Sequence, residues 1–179
     1  MKVDLAAVGL DLAREAGLVD GTSVKAPSRP ALALTGLAVR VVAVGWATVD
    51  LERASAQLGG QNLAGSGTGV SAGVVARPRD ELLGADARQV GPPAGGVSLI
   101  LLEPFTEGRL AGSLARRGEG PVALYVAPDD GDLTAAVDRL AAAGIRTRLG
   151  SCALGPGAVL LGRSAAGPQV LLVAVPSEP

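Results

Sequence analysis

The stretch LAVRVVAVGWATVDL at residues 37–51 predicts a buried β-strand that runs into a helix. Residues 37–48 are almost continuously apolar and contain four valines, a composition typical of a buried strand. Asp50 is a suitable helix N-cap, and Leu51, Ala54 and Leu58 then lie on one face of the helix. The stretch PVALYVAPDDGDL at residues 121–133 repeats this pattern, with Asp132 as the second N-cap. The sequence therefore contains two similar strand–helix units.

Further strands follow each unit. Residues 85–90, 97–102, 145–149, 158–161 and 170–175 are strand candidates, and residues 59–76, rich in Gly and Ser, are typical of a loop. Between the units we expect a helix with Thr106 as N-cap that ends at Gly118. The simplest interpretation is an α+β fold made by internal duplication of a βαβββ module. The predicted division is 1–34 as an N-terminal extension and linker, 35–104 as the first module, 105–120 as a connecting helix and 121–179 as the second module.

Composition excludes several function classes. The 179 residues include no histidine, which excludes a Ser-His-Asp triad, a Cys-His pair and any metal site built on His. Sixteen Lys and Arg against seventeen Asp and Glu give a net charge of −1, so we expect no nucleic-acid partner. Cys152 is the single cysteine, which excludes an internal disulfide. The first residues do not read as a signal peptide, and we expect a cytoplasmic protein with no membrane partner.

The stretch LILLEPFTEGRLAGSLARRGEGPVALYV at residues 99–126 resembles the vicinal oxygen chelate superfamily, and most of all its methylmalonyl-CoA epimerase-like branch. Glyoxalase I, extradiol dioxygenases and bleomycin-resistance proteins are other members. The resemblance implies two tandem βαβββ modules that form a cupped mixed sheet with helices on the outside. It also implies a divalent metal on four side chains, one from the first and one from the last strand of each module. Those positions correspond to Ala43, Ile100, Ala123 and Leu172, none of which can bind a metal, so we expect no metal and no cofactor.

Strand alternation extends this prediction to the lining of the cup. If Ala43 faces inward, Val41, Gly45 and Ala47 do so too, while Trp46 faces the helices. The residues predicted to bind a ligand are Ala43, Gly45, Ile100, Leu102, Ala123, Tyr125, Leu172 and Ala174. Tyr125 is the main polar group among them and the best catalytic candidate. Such a cup suits a small hydrophobic or aromatic ligand.

Three functional hypotheses remain open. The first is a metal-independent protein that sequesters or carries a small hydrophobic metabolite or an antibiotic-like compound. The second is a metal-free cyclase, isomerase or epimerase that acts on an acyl or polyketide-like substrate, with Tyr125 as acid or hydrogen-bond donor. The third is a structural subunit whose cup is packed shut. The register of the strand that carries Arg88 and Gln89 is not fixed by the sequence, so either of them could face the ligand. Arg146 and Arg148 are either solvated or paired with an anionic ligand. We also expect a homodimer.

Overall fold

The fold is an α+β arrangement of one curled mixed sheet and four helices, seen in a computed structural model that describes residues 5–15, 31–34, 37–59, 73–91, 96–161 and 167–174. The helices are α1 (Leu5–Glu15), α2 (Leu51–Gly59), α3 (Arg109–Arg117) and α4 (Leu133–Ala142). The strands are β1 (Ala31–Leu34), β2 (Leu37–Ala47), β3 (Val74–Asp80), β4 (Ala85–Val90), β5 (Ser98–Pro104), β6 (Gly120–Pro128), β7 (Thr147–Cys152), β8 (Gly155–Leu160) and β9 (Gln169–Val173).

The sheet confirms the predicted pair of βαβββ modules. Its strand order is β3-β4-β5-β2-β6-β9-β8-β7, and β1 pairs with β2 off this path. Within each module the first strand pairs in parallel with the last, β2 with β5 and β6 with β9. The two modules meet where β2 and β6 run antiparallel at the centre of the sheet. The result is the cupped half-barrel sheet that the duplication predicts.

Two hydrophobic cores lie on opposite faces of this sheet. The helix-side core packs α1, α2 and α4, through residues such as Leu12, Ala54 and Leu140, against the sheet. Trp46 packs against this core, as predicted. The second core covers the opposite, concave face, here called the cup face, where Leu110 of α3 contributes. Because both faces are covered, the central strands can be apolar on both sides.

Local signals predict three helix ends correctly. Asp50 and Asp132 cap α2 and α4, since their carboxylates accept hydrogen bonds from the backbone N–H groups of Arg53 (2.8 Å) and Ala135 (2.9 Å). Gly118 lies just beyond α3 with φ of 76°, a left-handed conformation that favours glycine.

Three local predictions were wrong. Thr106 is not the N-cap of α3; Gly108 takes that position, without a side-chain hydrogen bond. Residues 74–76, predicted as loop, begin strand β3. The charged residues and the proline of this strand are not typical of a strand, so the sequence did not predict it. The strand predicted at 145–149 begins later and extends to Cys152. Most of the Gly-rich segment, residues 60–72, lies outside the described residues, as does the linker at 27–30. Among the described residues, no helix has the length and apolar character needed to cross a membrane.

Candidate functional site

The centre of the cup face is filled by the protein's own side chains. Gly45 of β2 lies between Ile100 of β5 and Ala123 of β6. Ile100 and Ala123, together with the predicted ligand contacts Ala43, Leu102 and Tyr125, are all buried at 0% exposure. A Cβ at Gly45 would lie 2.8 Å from the Cβ of Ala123 and 2.9 Å from Cδ1 of Leu102, closer than carbon atoms pack. Gly45 therefore permits close packing in this layer of the cup.

Two predicted cup residues, Leu172 and Ala174, are not members of the cup-face core. Leu172 belongs to the helix-side core, so its predicted orientation is wrong, and Leu171 and Val173 face the cup instead. Strand β9 is buried on both faces, and its apolar sequence therefore carries no alternation from which the orientation could be read. Ala174 follows the end of β9, is half-buried, and donates its N–H to the carbonyl of Pro156 at 3.2 Å.

The orientation of Val41 was also predicted wrongly. Val41 packs in the helix-side core, whereas Ala43 and Ala47 face the cup as expected. The register between β2 and β6 shifts between Val41 and Ala43, which marks a β-bulge or irregularity. Such a bulge interrupts the alternation of side chains between the two faces of the sheet. The face on which Ala43 lies therefore does not predict the face on which Val41 lies.

A buried Asp–Tyr pair supplies the polar chemistry of the cup. The hydroxyl of Tyr125 donates to Oδ2 of Asp80 at 2.7 Å, and both residues are fully buried. The same carboxylate accepts hydrogen bonds from the backbone N–H groups of Leu83 at 2.9 Å and Ala153 at 3.2 Å. Tyr125 is thus the polar group that the sequence predicts, but its hydroxyl is engaged inside the protein.

Burial governs the ionisation of this pair. It raises the pKa of the Asp80 carboxyl, although the hydrogen bonds from Tyr125, Ala153 and Leu83 act in the opposite direction. Burial, and then the charge of Asp80, hold the pKa of Tyr125 well above its ordinary value, so its hydroxyl stays protonated. Burial also raises the pKa of the Cys152 thiol to about 11, which disfavours a nucleophilic role. Sequence analysis missed Asp80 because strand β3, which ends there, was not recognised.

Two hairpin tips meet over the cup and close it. The β3–β4 tip, residues 80–84, comes from the first module, and the β7–β8 tip, residues 151–154, comes from the second. The backbone N–H groups of Glu81 and Leu82 both donate to the carbonyl of Ser151, at 3.1 and 3.2 Å. Leu82 belongs to the cup-face core and is 6% exposed. The half-barrel is therefore closed on this side by contacts between the two modules.

A pocket opens at the rim of the cup, beside this closure. It has a volume of about 370 Å³. Its walls are the β3–β4 tip, the start of α3, and parts of β7, β8 and β9. The lining residues are Glu81, Leu82, Leu83, Gly84, Thr106, Glu107, Gly108, Arg109, Leu110, Arg148, Val159, Leu161 and Gln169. We call it the rim pocket. It brings apolar side chains together with two guanidinium groups, of Arg109 and Arg148, and two carboxylates, of Glu81 and Glu107.

Arg148 connects the second module to the β3–β4 tip. Its Nη2 donates to the carbonyl oxygen of Leu82 at 2.6 Å, so it reaches from β7 to the β3–β4 tip. The other arginine predicted on this strand face, Arg146, precedes β7 and does not line the rim pocket. Of the two alternatives predicted on β4, Gln89 is buried and donates to Ser98 Oγ at 2.8 Å, whereas Arg88 pairs with Glu52 of α2. Arg88 therefore faces the helices.

The residues at the positions implied for a metal do not fit a divalent cation. Ala43 pairs with Ser98 and Ala123 with Gln169, so Ile100 of the first module corresponds to Leu171 of the second. All four side chains at these positions are aliphatic and offer no oxygen, nitrogen or sulfur ligand. Within the described ranges, no three Cys, Asp or Glu side chains cluster closely enough to hold a metal ion.

Comparisons with known proteins support the fold. No protein family profile matches the chain, and no curated protein does. Among solved structures, methylmalonyl-CoA epimerase from Mycobacterium tuberculosis is similar with a TM-score of 0.57, at 21% identity, over 74% of this chain and 85% of that one. A Streptomyces coelicolor methylmalonyl-CoA epimerase in complex with 2-nitronate-propionyl-CoA is similar with a TM-score of 0.59, at 18% identity, over 78% of this chain and 98% of that one. A hypothetical protein from Bacillus halodurans C-125 is similar with a TM-score of 0.58, at 16% identity, over 79% and 97% of the two chains. At these identities the likeness shows the vicinal oxygen chelate fold.

Proposed function

We propose that this protein binds a small metabolite with an apolar body and an anionic head in the rim pocket, without a metal ion. The observation that carries the proposal is the pocket itself. Its volume of about 370 Å³ falls in the range of small-molecule sites, and Leu110, Val159 and Leu161 give it apolar walls. Because Glu81 and Glu107 also line the pocket, we place the anionic head at Arg148, whose guanidinium can pair with a carboxylate.

The position of the ligand differs from the one expected in the cup. A ligand that touched Ala43, Ile100, Ala123 or Tyr125 would have to displace buried side chains, whereas the rim pocket is open. Binding at the rim needs none of the four aliphatic positions that stand where relatives would carry metal ligands. Homodimerisation and a cytoplasmic location complete the proposal.

Binding is favoured over the metal-free isomerase alternative. That alternative assigns the acid or donor role to Tyr125. The Tyr125 hydroxyl is fully buried and donates to Asp80, so no substrate atom reaches it while the cup is closed. The closed cup also agrees with the hypothesis of a purely structural subunit. That hypothesis differs from our proposal because it predicts no ligand in the rim pocket.

Fluorescence titration with anilinonaphthalene sulfonate, which combines apolar rings and an anionic group, tests the proposal. We expect saturable binding with one dye per chain, unchanged by EDTA. Leu161→Asp, in the rim pocket, should weaken it about tenfold or more, which is roughly 1.4 kcal/mol. Val49→Asp is the matched control, because Val49 is also exposed but does not line the pocket. Absence of binding, or equal weakening by both variants, would support the structural-subunit hypothesis instead.

A further inference from the structure

The rim pocket and the interior of the cup are separated by a thin wall, the β3–β4 tip. Leu82 belongs to both sides of this wall. It lines the rim pocket, and it is also a member of the buried cup-face core. Hydrogen bonds hold the tip against the second module. The N–H groups of Glu81 and Leu82 donate to the carbonyl of Ser151, and the carboxylate of Asp80 accepts from the N–H of Ala153.

The second module carries a site that is shaped to receive Leu82. A Cβ at Gly150 would lie 2.7 Å from Cδ2 and 3.3 Å from Cγ of Leu82, so the missing side chain at Gly150 makes room for the isobutyl group. Two residues earlier on the same strand, Arg148 donates to the Leu82 carbonyl at 2.6 Å. One strand therefore recognises both the branched alkyl end of Leu82 and its carbonyl oxygen.

We propose that this arrangement is a concealed binding site for a short branched-chain carboxylate, and that Leu82 occupies it as an internal substitute for the ligand. The proposal rests on the proposed function, because the ligand reaches the site through the rim pocket. Its carboxylate takes the place of the Leu82 carbonyl on Arg148, and its branched end takes the place of the isobutyl group over Gly150. A carboxylate is the better acceptor for a guanidinium, since charge-assisted hydrogen bonds are stronger than neutral ones.

Isocaproate is the probe that this geometry selects. From carboxyl carbon to terminal methyls it has the same carbon skeleton as a leucine residue from carbonyl carbon to Cδ atoms. Binding to the natural protein requires that Leu82 leave, which lowers the apparent affinity by the fraction of molecules in which the site is free. Removing the Leu82 side chain empties the alkyl part of the site, so the ligand then has to displace only the backbone carbonyl of residue 82 from Arg148, and binding should tighten.

The experiment measures isocaproate affinity by ligand-observed NMR in the full chain. We expect Leu82→Ala to bind isocaproate about tenfold more tightly than the natural protein, and unbranched hexanoate more weakly than isocaproate. Adding Arg148→Gln to that variant should abolish the gain. Leu140→Ala is the matched control, because Leu140 is also a buried leucine but belongs to the helix-side core. The proposal is overturned if Leu82→Ala binds no more tightly than the natural protein, or if Leu140→Ala tightens binding equally.

A second variant, Gly150→Ala, tests whether Leu82 can leave the site, and it can be used if Leu82→Ala does not fold. The added methyl pushes Leu82 out of the site, so Cys152, buried in the cup-face core, should react faster with a thiol reagent. The faster reaction of Cys152 should be the same with and without a low concentration of urea, because local opening exposes little surface and so depends little on urea. An unchanged Cys152 rate contradicts the proposal. Dye binding by the natural protein distinguishes failure of this proposal from failure of the proposed function. If the dye binds, only the concealed site is refuted. If it does not bind, ligand binding in the rim pocket is refuted as well.

Discussion

Replacing Tyr125 by phenylalanine removes one hydroxyl from the cup and keeps the ring that fills it. The lost hydrogen bond is 2.7 Å long, joins two fully buried groups and ends on a carboxylate. Hydrogen bonds to charged groups contribute about 1.5–3 kcal/mol. Asp80 keeps its bonds from Leu83 and Ala153, so neither oxygen is left without a partner. We expect a loss of about 2 kcal/mol in the free energy of unfolding, or about 4–8 °C in Tm for a chain of this size.

Urea denaturation followed by the fluorescence of Trp46, the single tryptophan, measures this loss. Trp46 packs on the helix-side core, so the substitution does not alter its surroundings directly. The coupling is isolated by a double-mutant cycle with Asp80→Ala, which removes the acceptor of this bond, and the two losses should fall short of additivity by at least about 1 kcal/mol. A loss below about 0.5 kcal/mol in Tyr125→Phe, or strict additivity in the cycle, would refute the view that this bond stabilises the closed cup.

Three further outcomes follow from the packing and from the buried carboxyl. Gly45→Ala should lower the free energy of unfolding by about 1–3 kcal/mol through overpacking, and an unchanged urea midpoint would contradict the filled cup. Gly112→Ala, in α3 beside the flexible end of Arg116, should raise stability by about 0.5–1 kcal/mol, and a loss of stability there would contradict a helical conformation at Gly112. Because the pKa of Asp80 is raised on folding, its contribution to stability is full below its unfolded pKa of about 4 and declines as pH rises through the folded value. Tyr125 and Cys152 are the titratable groups that interact with it, and both stay protonated in this range. We therefore compare the free energy of unfolding of the natural protein with that of Asp80→Asn by urea titration. The difference, natural protein minus variant, should be more positive at pH 4.5 than at pH 7. The opposite pH dependence would show that folding does not raise the pKa of Asp80.

The duplicated architecture could be predicted because its signals are local. Each module begins with an apolar strand and an aspartate N-cap, and both N-caps accept the backbone hydrogen bonds expected of them. Alternation along a strand also placed Trp46 on the helix side and Tyr125 in the cup. These inferences need only the geometry of a strand or of a helix terminus.

The errors arose where that geometry is interrupted or uninformative. The irregular register after Val41 broke the alternation, and both faces of β9 are apolar around Leu172. Asp80 ends a strand with a charged, exposed sequence that resembles a loop. The contact between Asp80 and Ala153 joins residues 73 positions apart, and no local pattern encodes a meeting of two hairpin tips at that separation.

That same separation has a kinetic consequence. Closing a loop of 73 residues carries a large entropic cost, and the tips can meet only after the β2–β6 pair has aligned the two modules. The tip-to-tip contact should therefore be among the last to form during folding. In the native protein it should open before the central strands do, so the amides of Leu82 and Ala153 should exchange their hydrogens before those of β2 and β6. We therefore expect the contacts that close the cup to form after the β2–β6 pair and to open before it.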